Sequence, residues 1–128
     1  MNVLVDSSVW IDYFRGGSDS SLDGLIEENL ICINDLISAE LVPFLRVRRQ
    51  RKLIELLGVV RRLPLVIDWT GVIDLQVKCL HSGINKIGIP DLMIVQNAIQ
   101  NDATLYSLDK HFQLISTCAP LKLLGEAR

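Results

Sequence analysis

The sequence predicts an α/β fold, a three-layer α/β/α domain on a central, mostly parallel sheet. Short β-branched or leucine-rich runs alternate with longer helical patterns, as strands joined by crossover helices do. The 128 residues show no internal repeat, low-complexity tract, proline-rich linker or compositional shift, so a single domain, 1–128, is expected. Hydrophobic residues make up 49% and aromatics only 5%, which predicts an aliphatic core with apolar surface left over for self-association.

The elements follow in order. Val3 to Val5 reads as a first strand, followed by a helix from about Ser8 to Phe14 and another from about Ser20 to Asn29, with the Gly16-Gly17 breaker between them. Leu30 to Ile33 is a second strand. A helix from Leu36 to about Arg48 is open to interruption at Pro43, and another runs from Arg49 to Leu57 before Gly58. A strand at Leu65 to Ile67 precedes a helix from about Thr70 to Ser82. Pro90 suits a first helical position and opens a helix to Asn101, which feeds a strand at Thr104 to Ser107. A short helix after Asp109 and a last strand near Leu121 to Leu123 complete the pattern.

Several classes are set aside by composition. No apolar run approaches the roughly 18 residues of a membrane span, and "MNVLVDSSVW" has neither a basic n-region nor a small-residue cleavage site, so a cytoplasmic protein with no membrane partner is expected. Cys32, Cys79 and Cys118 lack CxxC spacing and are odd in number, which fits small buried hydrophobes better than disulfides or a zinc knuckle. The net charge of −2 conceals a basic run, "RVRRQRK".

Four carboxylates stand out. In "IGIPDLMIVQNAI", advancing about 100° per residue places Asp91 mid-stripe with Val95 and Ala98, while Gln96, Asn97, Gln100 and Asn101 fill the opposite face. A carboxylate in an apolar stripe is costly unless paired or metal-bound, although an acid in a first turn also suits the helix dipole. Glu40 in "LISAELVPFL" falls in a second apolar stripe, with Leu36, Ile37 and Phe44. Asp6 and Asp109 follow strands, at the edge where open α/β sheets place ligands, and helix capping explains either equally well alone. Asp68 in "LVIDWTG" has the same local pattern with no second reason to select it. Together the four suggest a converging acidic pocket, which cannot ionise fully without a cation. All-oxygen ligation with no histidine or cysteine nearby suits Mg²⁺ or Mn²⁺ rather than zinc, and phosphodiester hydrolysis is the natural chemistry. Ser8 is placed to orient water or phosphate, or simply to cap a helix; Ser107 has the same two roles open to it.

In order and spacing, "VDSSVWIDYF", "SAELV", "IGIPDLMIVQNAI" and "ATLYSLDKHF" resemble the four acidic blocks of PIN-domain ribonucleases, most closely the VapC-type toxins of bacterial toxin–antitoxin pairs. The resemblance covers Val3 to Phe112. It implies a PIN-like fold, Asp6, Glu40, Asp91 and Asp109 as metal-binding carboxylates, and Ser8 as the hydroxyl residue after the first. It also implies an RNA substrate, Mg²⁺ or Mn²⁺, a homodimer and a cognate antitoxin whose tail enters the site. Some relatives carry a further acid two positions after the fourth; here that position is His111, which reads as a surface residue rather than a catalytic base.

Arg46, Arg48, Arg49, Arg51 and Lys52 offer phosphate contacts to RNA, or meet an acidic antitoxin segment, or form a solvated face. Trp10, Tyr13 and Phe14 at helical spacing read as core or dimer contacts. A catalytically inactive scaffold that binds protein or RNA is the alternative function, against which the retention of all four acids counts. A phosphoacceptor receiver domain is disfavoured because Val5, not an acid, precedes Asp6.

Overall fold

A computed structural model describes residues 1–16 and 19–125. The elements are β1 (Val3–Val5), α1 (Ser7–Phe14), α2 (Ser20–Glu27), β2 (Ile31–Ile33), α3 (Asp35–Val47), α4 (Arg51–Val59) and β3 (Arg61–Arg62), then α5 (Trp69–His81), α6 (Ile89–Gln100), β4 (Thr104–Tyr106), α7 (Lys110–Ser116) and β5 (Lys122–Leu123). The strands form one sheet in the order β3-β2-β1-β4-β5, every pair parallel. Helices flank the sheet on both sides, the three-layer architecture expected from the alternation of elements.

The apolar triplets of β1 and β2 are fully buried, as central strands covered on both faces must be. Against them pack Trp10 of α1, Ile37, Leu41 and Leu45 of α3, and Leu92, Ile94, Val95 and Ala98 of α6, all at most 1% exposed. Trp10 is thus a core residue, while Tyr13 and Phe14 are half-buried beside it.

Three local expectations are corrected. The third strand is Arg61–Arg62, not Leu65 to Ile67. Its arginines point outward from an edge, Arg62 donating to Asp35 Oδ1 at 2.9 Å, and the flanking Val60 and Leu63 supply the burial. Pro64, which has no N–H to donate, follows at once, so the apolar run beyond it alternates in burial without a strand partner. Pro43 does not interrupt α3, because Ile37, Leu41 and Leu45 anchor both sides of it in the core, outweighing the roughly 3 kcal/mol an interior proline costs. Asn97 lies in the core at 1% exposure instead of on the polar face of α6. Of the Gly16-Gly17 breaker, Gly16 takes φ +93° just past α1, whereas Gly17 lies outside the described residues.

Candidate active site

The chain leaves β1 toward β2 and β3, then returns to build β4 and β5 on the other side. Connections depart in opposite directions from the carboxyl ends of β1 and β4, and that reversal opens a crevice where doubly wound sheets bind ligands. Asp6 immediately follows β1; its N–H donates to the Tyr106 carbonyl at the end of β4 (2.9 Å), which sets it beside Ser107.

Asp6 is 6% exposed, an unusual depth for a carboxylate. Its Oδ2 accepts from Ser8 Oγ at 2.9 Å and Ser107 Oγ at 2.8 Å. Each hydroxyl in turn accepts a backbone N–H, Ser8 from Leu108 at 3.1 Å and Ser107 from Asp109 at 3.0 Å. The two serines thus tie the first acid to the loop that presents the fourth. Ser8 Oγ and Ser107 Oγ also lie 3.3 Å apart, within reach of a hydrogen bond to each other.

Asp109 caps α7 by accepting the His111 N–H on Oδ1 at 2.9 Å. Asp91, in the first turn of α6 after Pro90, is partly buried and faces the same crevice. Burial, followed by the charges of Asp109 and Asp6, raises its pKa above the ordinary aspartate value, partly offset by His111. Glu40 lies on α3 at the rim. It is exposed, which corrects the buried placement read from its stripe: Ile37, Leu41 and Leu45 define the buried line, and Glu40, one position before Leu41, lies about 100° around the helix from it. Partial desolvation of its carboxyl end, then Asp6 and Asp91, raises its pKa, opposed by a long contact from Ser7 Oγ to Oε1 at 3.5 Å.

The expected all-oxygen environment is also corrected. His111, which reads from the sequence as a surface residue, keeps a 45% exposed side chain, yet its Nδ1 lies 3.5 Å from Asp109 Oδ1 and 3.8 Å from Asp91 Oδ2. The donor atoms of Asp91, Asp109 and His111 all fall within 4.8 Å of one another. An Asp cap followed two residues later by histidine is the signal that could have found it, because it keeps the two residues within one turn of each other. Asp68 stands apart at the start of α5, where its backbone exchanges two hydrogen bonds with the Gln96 side chain (3.0 and 2.9 Å). Among the described residues no lysine or arginine pairs with Asp6, Glu40, Asp91 or Asp109. A carboxylate-rich donor set without such compensation fits a divalent cation.

The chain belongs to the PIN-domain family, whose profile matches residues 3–116. Its fold is similar to three solved toxin–antitoxin structures. VapBC2 from Rickettsia felis, bound to a DNA fragment from its promoter, is 21% identical with a TM-score of 0.76, covering 96% of this chain and 97% of that one. DNA-bound VapBC from Salmonella typhimurium is 11% identical with a TM-score of 0.75, covering 96% of both chains. VapBC-1 from nontypeable Haemophilus influenzae is 20% identical with a TM-score of 0.71, again covering 96% of both. No curated protein sequence matches the chain.

Proposed function

We propose that this PIN-domain protein is a VapC-type toxin, an endoribonuclease that hydrolyses RNA phosphodiester bonds with Mg²⁺ or Mn²⁺ and is restrained by a cognate antitoxin. The observation that carries the reading is the meeting of Asp6, Asp91 and Asp109 in the β1/β4 crevice, with Glu40 on its rim and, among the described residues, no lysine or arginine paired with any of them. Those four carboxylates would hold the ion. A bound divalent cation supplies Lewis acidity at the phosphate and a more acidic water.

The chain's own groups prepare that chemistry. Ser8 and Ser107 fix Asp6 in one orientation through donated hydrogen bonds. Burial and the neighbouring carboxylates make Asp91 and Glu40 hold their protons more tightly than ordinary carboxyls, so their ionised forms are the ones a bound cation would stabilise. Arg46, Arg48, Arg49, Arg51 and Lys52 are all exposed around the α3–α4 turn, where they supply backbone contacts for RNA entering an otherwise acidic site. Arg48 is held over the Phe44 ring, 3.7 Å from its centroid.

Two further observations support the partners. Trp69, Ile73, Val77 and Leu80 form one exposed apolar stripe along α5, a surface suited to a homodimer. A groove of about 630 Å³, whose lining includes Tyr13, Phe14, Ile26, Leu53 and Leu56, offers apolar surface to an antitoxin segment. Among the described residues no helix is long and apolar enough to cross a membrane.

The test is cleavage of total cellular RNA with Mg²⁺, Mn²⁺ or EDTA, beside Asp6→Asn and Asp91→Asn. Metal-dependent cutting lost in both variants is expected. Cutting that persists in EDTA or in both variants sinks the reading. A folded, antitoxin-free protein that binds metal without cutting would instead favour the inactive PIN-fold scaffold.

A further inference from the structure

The carboxylate scheme does not use His111. Its imidazole stands where two acids from different helices converge, Asp91 from α6 and Asp109 at the start of α7. The spacings of 3.5 and 3.8 Å are longer than an N–H···O hydrogen bond and too short to admit a water between the groups. Nδ1 therefore faces both carboxylates at ion-pair distance, nearer to Asp109. The His111 N–H donates to Asp109 Oδ1, which keeps the residue's backbone in the first turn of α7 beside that carboxylate.

We infer that His111 is itself a ligand of the divalent ion, through Nδ1 beside Asp91 and Asp109, and that it biases the site toward Mn²⁺ over Mg²⁺. The inference rests on the proposed metal-dependent activity and deepens it by naming the ion. Carboxylate and water suit both cations, but Mg²⁺ takes oxygen donors almost exclusively, whereas a neutral imidazole nitrogen is a good donor to first-row transition ions. A mixed N/O set thus discriminates where an all-carboxylate set does not. A protonated imidazole acting only as counter-charge to the two acids would do the reverse: it would compete with any cation, and removing it would tighten both ions alike.

The opposite signs make the test decisive. Mn²⁺ and Mg²⁺ would be titrated separately by calorimetry into the metal-free full chain, its His111→Ala and His111→Asp variants, and Asp91→Asn. Pulsed EPR of the Mn²⁺-loaded proteins would look for nitrogen hyperfine modulation. A ligand role predicts that His111→Ala weakens Mn²⁺ about tenfold, the lower end of what perturbing a metal site does, and leaves Mg²⁺ within about twofold. It also predicts that His111→Asp narrows the preference and that the nitrogen modulation, present in the parent, disappears in both variants. Unchanged or tighter binding of both ions in His111→Ala, with no nitrogen signal in the parent, overturns the inference while leaving the carboxylate site standing, provided Asp91→Asn still loses both ions. Retention of both ions by Asp91→Asn, or no binding by the parent, overturns the metal site and the inference with it.

Discussion

Asn34 Nδ2 donates to Asn97 Oδ1 at 2.9 Å, with both residues at most 1% exposed, and this single bond joins the helix carrying Glu40 to the helix carrying Asp91. Each partner is otherwise occupied: Asn34 Oδ1 caps α3 by accepting the Ile37 N–H at 2.8 Å, and Asn97 Nδ2 donates to the Pro64 carbonyl at 2.8 Å. Asn97→Ala strands the Asn34 amide in the core and deprives the Pro64 carbonyl of its donor. We expect it to lower unfolding free energy by about 1–3 kcal/mol in a urea titration and to reduce cleavage more than the stability loss explains. Asn97→Ala indistinguishable from the parent in both would show that water replaces the network.

Asp91 sets a trade-off between stability and function. Its pKa is raised above 3.8 in the folded protein, so the folded state holds that proton more tightly than the unfolded chain. The metal-free protein therefore loses this contribution as pH rises from near the ordinary aspartate value through the raised folded value. Asp91→Asn should melt at a higher temperature than the parent in EDTA at pH 7, with the gap closing as the pH is lowered below 3.8. Saturating Mn²⁺ should raise the parent's melting temperature and leave the variant's unchanged. A variant that melts lower than the parent in EDTA would contradict the electrostatic origin of the shift.

The α5 stripe predicts an oligomer. Ile73 is 61% exposed at its centre, so Ile73→Lys removes no core contact and should change monomer stability by at most about 0.5 kcal/mol. In light scattering the parent should have the mass of two chains and the variant that of one. A monomeric parent at micromolar concentration would remove this helix as the dimer surface.

The thiols should differ in reactivity. Cys79 is fully buried, with its Sγ 3.9 Å from that of half-buried Cys118, and its pKa is pushed up to about 11 by burial and by that neighbour. At pH 8 iodoacetamide should label Cys118 in the native protein and spare Cys79, with all three cysteines labelled after unfolding. Peptide mass mapping that finds Cys79 modified first would mean that α5 opens locally.

By itself the chain determined what periodicity and punctuation encode. The apolar triplets of β1 and β2, the proline that opens α6 and the acids after β1 and β4 are local signals, and the α/β alternation with its acidic spacing follows from them. Only the tertiary structure decided the rest, because it depends on what long-range packing brings together. Arg61 and Arg62 pair as a strand because β2 lies beside them, although nothing in two arginines asks for a sheet. Asn97 is buried because the Asn34 amide and the Pro64 carbonyl satisfy its side chain. Glu40 came to the rim of the crevice, not its floor, through the rotation of α3 fixed by Ile37, Leu41 and Leu45. His111 faces two acids because the cap of α7 meets the start of α6 at the place where the sheet reverses its connections, and neighbours 20 residues away are invisible to any local pattern.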